Sequence, residues 1–443
     1  MTTQLKNELL YGGRFLFRDN PALARPIAAE LAANERMDEQ QLRALGQRRL
    51  HATLQRAIDV LPFYAHIDRN FTVAESEQVL RERFPVVDKQ TLLANSTTLY
   101  PNGGVPRMWH ALGKTSGTSG APLTIFRSPR SVLYENEFIK RHWRWGGFEK
   151  GMKRSTLRGD QVVPITRAEP PYWFYNRYNN QLLLSSRHLN DACVDAIIDR
   201  LEEYQPDMLQ AYPSTAYTLA TYLARRNRRL RVPVVFPASE PIYLHQREAI
   251  LEWLGAKVMG MYGMAERVAF ATECEHGSLH LNTDYAHVEI LDENDQPTDD
   301  YGFVVGTTYY NDVMPLVRYR LSDRTRFKHG RCACGRSFPM IEEVTGKFED
   351  SITGSNGMVL SPSVLTFAFK YAHNIRRSQV AQVGPAHWEV RIVPDTGFTP
   401  ADEAELLNNI RTMVDAYVKI DIVHKDDLPN TAAGKFRWVV NET

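Results

Sequence analysis

Between Asp191 and Met261 the sequence alternates a helical segment, Asp191 to Tyr204, with short β-rich runs at Val232 to Phe236 and Lys257 to Met261. That rhythm is the mark of a layered α/β domain, because each apolar strand run needs helices to cover its faces. In such layers the loops between elements carry the chemistry.

Upstream, Leu42, Leu45, Leu50, Leu54, Ile58 and Leu61 recur at broadly helical spacing from Asp38 to about Ile67, ending at the turn-like Pro62-Phe63-Tyr64. Downstream of the Gly- and Pro-bearing stretch from Gly346 to Pro362, a strand-like Trp388 to Val393 precedes a helix from Asp402. There Leu406, Leu407, Ile410, Met413, Val414 and Tyr417 share a face, enough for a small core of their own. At 443 residues the chain exceeds one ordinary domain. We therefore expect a large layered α/β domain over residues 1–345 and a small α+β domain over residues 346–443.

With 43% hydrophobic and 24% charged residues, the composition is that of a soluble globular protein. The balance of 53 basic to 52 acidic side chains removes any general electrostatic case for nucleic acid or anionic lipid, although a local basic groove is compatible with it. Met1 to Arg18 holds scattered charges and no unbroken apolar run, so it does not read as a signal peptide. No stretch approaches membrane-spanning length. Neither a nucleic-acid nor a membrane partner is expected. Four cysteines, Cys193, Cys274, Cys332 and Cys334, are too few for a disulfide framework, which implies a reducing, cytoplasmic setting.

Four segments carry the chemistry. In Lys114-Thr115-Ser116-Gly117-Thr118-Ser119-Gly120-Ala121-Pro122, hydroxyls and glycines alternate just before the strand-like Leu123-Thr124-Ile125-Phe126. Such a loop can wrap phosphate oxygens with backbone N–H and hydroxyl donors. It is not a P-loop, since that motif needs glycine where Met108 stands. The second, Gly260-Met261-Tyr262-Gly263-Met264-Ala265-Glu266, ends in a carboxylate suited to Mg²⁺ beside phosphates. The third, Arg318 to Arg324, sets Asp323 among cations, where it can accept from ribose hydroxyls; a surface salt-bridge cluster is the competing reading. The fourth, Leu428-Pro429-Asn430-Thr431-Ala432-Ala433-Gly434-Lys435, is a loop delivering one lysine.

In this order the four segments resemble the acyl-adenylate-forming superfamily, and within it the phenylacetate–coenzyme A ligase family and its capsule-biosynthesis-like branch. The branch likeness rests on Leu157-Arg158-Gly159, Leu183-Leu184-Ser185-Ser186 and Gln210-Ala211-Tyr212-Pro213-Ser214. The resemblance implies the superfamily's fold, with residues 346–443 as a mobile lid on the larger domain. It implies ATP or AMP as nucleotide, with Ser116, Gly117, Thr118, Ser119 and Gly120 as phosphate loop and Glu266 as Mg²⁺ ligand. By the same likeness Ser239-Glu240-Pro241 lies on the adenine side, Tyr262 with Gly263 flanks the adenine, and Asp323 binds the ribose. The family often has glycine where Ala238 or Ser239 stands here. Lys435 matches the catalytic lysine, whose charge neutralises a phosphorane-like transition state. The family's Gly-Arg-x-Asp hinge is replaced by Gly346-Lys347-Phe348-Glu349-Asp350.

Cys332-Ala333-Cys334 and the upstream Cys274 with His276 or His280 supply thiolate and imidazole in the ratio of a closed structural zinc site. The resemblance favours His280 and a structural Zn²⁺ stapling the segment after Glu266 to the one after Asp323. Cys193 reads as an ordinary core residue. The implied activity is activation of a small-molecule carboxylic acid to an acyl adenylate, then acyl transfer to coenzyme A. The alternatives are direct transfer to an amine or hydroxyl, or a nucleotide-binding protein without catalysis. Aromatics at Trp143-Arg144-Trp145 and Tyr172 to Tyr175 are of a kind more often used in packing than in ligand contacts, Arg141, Arg144 and Arg158 are compatible with a polar or anionic acid, and the sequence does not choose the acid.

Overall fold

The computed structural model describes residues 3–114, 123–345, 351–360, 362–369, 372–428 and 437–443. The middle of the chain forms a six-stranded sheet in the order Trp173–Asn176, Gln181–Ser185, Arg154–Arg158, Met208–Ala211, Val234–Pro237 and Lys257–Val258. All its pairings are parallel except that of the Trp173–Asn176 edge. Parallel strands are joined through helices, which cover the sheet. Val194–Tyr204 turns Val194, Ile197, Ile198, Leu201 and Tyr204 inward at three- and four-residue spacing. With Pro213–Arg225 and Leu244–Leu254 it closes a core that includes Leu157, Leu182, Leu209 and Val235.

Two antiparallel sheets follow in sequence. One has the order Phe327–Lys328, Met340–Ile341, Leu279–Leu281, Phe270–Glu273 and Met261–Gly263; the other is Ala286–Leu291, Gly302–Thr308 and Tyr319–Thr325. Gly306 is required where they meet, because a Cβ there would overlap the Val268 backbone. A two-stranded hairpin, Ala111–Lys114 with Thr124–Arg127, brackets the Ser/Thr/Gly segment.

The helix expected from Asp38 runs Glu39–Val60, with Asp38 and Gln41 in a reciprocal capping box. Deeper in the larger unit, Arg141 on helix Pro129–Trp145 binds Asp284 through two hydrogen bonds of 2.7 and 2.9 Å. Both side chains are at most 1% exposed.

Residues 352–441 build a separate four-stranded sheet, Lys419–His424, His387–Pro394, Ile375–Gly384 and Val439–Asn441. Helices Pro362–Phe369 and Pro400–Met413 pack with it, and Trp388 and Trp438 are fully buried in that core. Tyr212 joins the same core from the larger unit. The helical stripe is shorter than its spacing suggests. Leu406, Ile410 and Val414 are buried, but the helix ends at Met413 and Tyr417 is 76% exposed. Asp415 explains the stop, since its carboxylate accepts from the N–H groups of Tyr417 and Val418 and so competes with further helix.

Candidate functional site

Tyr262 lies on Met261–Gly263, the edge strand of the five-stranded sheet, opposite Ala271. Asp323 lies within Tyr319–Thr325 of the three-stranded sheet. The two sheets bring them together, and the Tyr262 hydroxyl donates to the Asp323 carboxylate at 2.9 Å. Burial, then the Asp323 charge, pushes the Tyr262 phenol well above its ordinary value, so it remains a donor. Glu266 follows three residues after Gly263, and Tyr319 donates to its carboxylate at 3.5 Å. Burial and then Glu266 likewise raise the Tyr319 phenol.

Ser239-Glu240-Pro241 follows the carboxyl end of strand Val234–Pro237, where open α/β sheets bind ligands. Ser239 has φ +74°, in the left-handed region that favours glycine, the residue the resembling family often has where Ala238 or Ser239 stands. Glu240 accepts from the Ser214 N–H at 3.2 Å, which ties this loop to the first turn of Pro213–Arg225. Ser116, Gly117, Thr118, Ser119 and Gly120, the hinge residues 346–350 and Lys435 lie outside the described residues.

The sulfur and nitrogen ligands converge on one point. One ligand atom from each of Cys274, His280, Cys332 and Cys334 lies within 4.8 Å of all the others. The Cys274 and Cys332 sulfurs are 3.6 Å apart, and the Cys334 sulfur is 3.3 Å from His280 Nε2. A tetrahedral zinc with Zn–S bonds of ~2.3 Å sets its sulfurs roughly 3.8 Å apart. The donor set therefore fits that ion. The sulfurs are also too far apart for a disulfide. His280 Nδ1 lies 2.9 Å from the Phe338 carbonyl, a contact that puts the proton on Nδ1 and leaves Nε2 free to ligate. His276 is exposed and outside the cluster. Burial works to raise the Cys332 thiol, but hydrogen bonds involving Cys334, Ser278 and His280 outweigh it and lower it to about 6. Burial takes Cys274 up to about 11.

The CapK C-terminal domain family matches residues 352–442. Over 341 residues the chain is 24% identical to Protein CapK of Staphylococcus aureus, covering 74% of this chain and 73% of that protein. It is 26% identical over 347 residues to the phenylacetate-coenzyme A ligase of Escherichia coli (strain K12), covering 73% and 75%. The fold matches a 2-hydroxyisobutyryl-CoA ligase solved with 2-HIB-AMP and CoA, with a TM-score of 0.57, 18% identity and coverage of 92% and 91%. The chain is CapK-related and phenylacetate-coenzyme A ligase-like in sequence, and it has the fold of that CoA ligase.

Several residues singled out in the sequence lie away from Tyr262, Glu266 and Asp323. Trp143 and Trp145 are 6% and 8% exposed; Trp145 lies under the Arg336 guanidinium and donates to Glu35 at 3.0 Å. Both are packing, as expected. Arg141 is consumed by Asp284, so it does not meet a substrate as an anion-binding group. Arg158 keeps a partly exposed guanidinium 3.7 Å from Asp160 at the end of its strand. Cys193 is buried in the parallel-sheet core. Two roles were not legible in the sequence: Tyr319 lies inside a segment marked by its charges, and Ser214, part of a segment that carried only the branch likeness, acts through its backbone N–H.

Proposed function

We propose that this ligase activates a carboxylic acid with ATP, releasing pyrophosphate and forming an acyl adenylate, and then transfers the acyl group to coenzyme A. The carrying observation is the Tyr262–Asp323 hydrogen bond with Glu266 and Tyr319 beside it, a constellation built from segments 61 residues apart. In this reading Tyr262 flanks the adenine and Asp323 accepts from the ribose hydroxyls. Ser116 to Gly120 wrap the phosphates. Glu266 would hold Mg²⁺, whose charge neutralises the phosphates; one carboxylate suffices because substrate phosphates supply further ligands. Lys435, on a lid of residues 346–443, offsets the charge that develops between the substrate carboxylate and the α-phosphate. Residues 346–350 absorb the lid's backbone rotation. Cys274, His280, Cys332 and Cys334 hold a structural Zn²⁺ that takes no part in the reaction. The relatives named as phenylacetate-coenzyme A ligases support coenzyme A as acceptor.

Acid-dependent ATP–pyrophosphate exchange, screened across aromatic, aliphatic and amino acids, tests the first step. Product analysis with coenzyme A, or with an amine or hydroxyl and no thiol, tests the second. Exchange followed by thioester formation is expected. ATP binding with no exchange for any acid overturns the first step, and amide or ester formation without the thiol overturns only the choice of acceptor.

A further inference from the structure

Arg127 ends the hairpin strand Thr124–Arg127, and its guanidinium folds back across Gly113 on the partner strand, where a Cβ would overlap it. From there Nη2 donates to the carbonyl of Ala265 at 2.5 Å, one residue before Glu266. Its Nε–H is buried without an acceptor among the described residues. On the other side of Glu266, Arg267 adopts φ +60° and donates to the Ser131 carbonyl and hydroxyl at 2.9 and 3.0 Å. It also lies 3.5 Å from Glu135. Glu266 therefore stands between two arginine anchors. One is on the hairpin that brackets residues 115–122, and the other is fastened to the first turns of helix Pro129–Trp145.

Burial, with Arg267 adding to it, lowers the Arg127 guanidinium to about 10, while Glu135, Tyr285 and Glu266 offset the loss. It is charged at neutral pH. A half-buried cation beside a second cation is an expensive way to close a hairpin, which an apolar side chain would do at lower cost.

We infer that Arg127 is a positioning residue for Glu266: seated across Gly113 and holding the Ala265 carbonyl, it fixes the segment that presents the Glu266 carboxylate, so that Mg²⁺-dependent binding of the triphosphate depends on it. This rests on the nucleotide reading above. It predicts that Arg127 matters for MgATP, whose metal meets Glu266, and not for AMP, which in that reading is held through Tyr262 and Asp323.

The test measures AMP and ATP affinities by equilibrium binding across a Mg²⁺ titration for the full chain and for Arg127→Gln, Arg127→Lys and Gly113→Ala. Arg127→Gln should weaken MgATP about tenfold and raise half-saturating Mg²⁺ by a similar factor, with AMP unchanged within about twofold. Arg127→Lys should recover part of the loss. Gly113→Ala keeps the arginine but displaces its flexible end, so it should reproduce the glutamine pattern, and it decides alone where Arg127→Gln does not fold. Folded variants with unchanged MgATP binding, or with equal losses for AMP and MgATP, overturn the positioning role and leave the nucleotide reading intact. A wild-type chain that binds neither nucleotide overturns both.

Discussion

Tyr262 donates its hydroxyl to Asp323 at 2.9 Å across the junction of the two antiparallel sheets, and Asp323 is 7% exposed. Removing the donor leaves a nearly buried carboxylate short of one hydrogen bond, a loss of roughly 1–2 kcal/mol. Tyr262→Phe should raise KM for ATP by about five- to thirtyfold while kcat changes little, because in the proposed function the interaction orients the nucleotide in ground and transition states alike. A kcat loss with unchanged KM would place Tyr262 in the chemistry instead.

Lys435 carries the opposite expectation. A charge recruited only as negative charge develops contributes to the transition state rather than to binding. Lys435→Ala should slow adenylate formation by ~10²–10³-fold or more and leave ATP affinity nearly intact. Exchange rates equal to wild type would remove the lysine from its role.

How much of this was legible in the sequence depends on how local each cause is. Helix Glu39–Val60 and the strands around Val234–Pro237 follow from apolar spacing and an Asp38–Gln41 cap, all within a few residues. The end of helix Pro400–Met413 did not, because Asp415 stops it by a side-chain hydrogen bond that hydrophobic spacing does not register. Cys274, Cys332 and Cys334 with a nearby histidine were legible because the residue types themselves carry the chemistry, whereas the choice of His280 over His276 came from the family resemblance. Tyr319 and Arg127 were not, since a tyrosine or arginine acquires its role only once pairing places it beside Glu266 or the Ala265 carbonyl.

The Arg141–Asp284 pair gives a stability prediction. Both groups are buried, and Asn34 and Asn282 complete their hydrogen bonds. Arg141→Met strands the carboxylate and should cost about 3–5 kcal/mol, whereas the double variant Arg141→Met with Asp284→Leu should recover much of it. A urea double-mutant cycle reads the coupling directly. Additive losses would mean that the two side chains act independently.

His142 gives a pH prediction. Its ring is enclosed beside Phe236, and its Nε2 lies 3.1 Å from the Glu273 carbonyl. Burial, the largest cause, holds its pKa down to about 3 from an ordinary 6.5. Below the ordinary value the unfolded chain takes up a proton that the folded ring refuses. Stability from this group is therefore full above pH 6.5 and falls as pH drops toward 3, by about 1.4 kcal/mol per unit. Urea midpoints for wild type and His142→Gln between neutral pH and the onset of acid unfolding should converge as pH falls. A pH-independent difference would assign the acid sensitivity elsewhere.

The sulfur–imidazole cluster ties three strands of the five-stranded sheet together. Cys274 follows Phe270–Glu273, His280 lies in Leu279–Leu281, and the Cys332–Cys334 turn precedes Met340–Ile341. Tyr262 sits on the next strand of the same sheet. A zinc at this point would fix the sheet that carries Tyr262 without touching the proposed substrate, so its loss should act on stability first. Purified protein should carry about one zinc per chain, because the site offers four ligands of tetrahedral type. Chelation or Cys334→Ser should lower the melting temperature by several degrees or more while the rank order of accepted acids stays the same. A chain that is metal-free as isolated and equally stable with chelator would show that the four side chains hold one another unaided. A changed order of acids would instead put the metal in the substrate pocket.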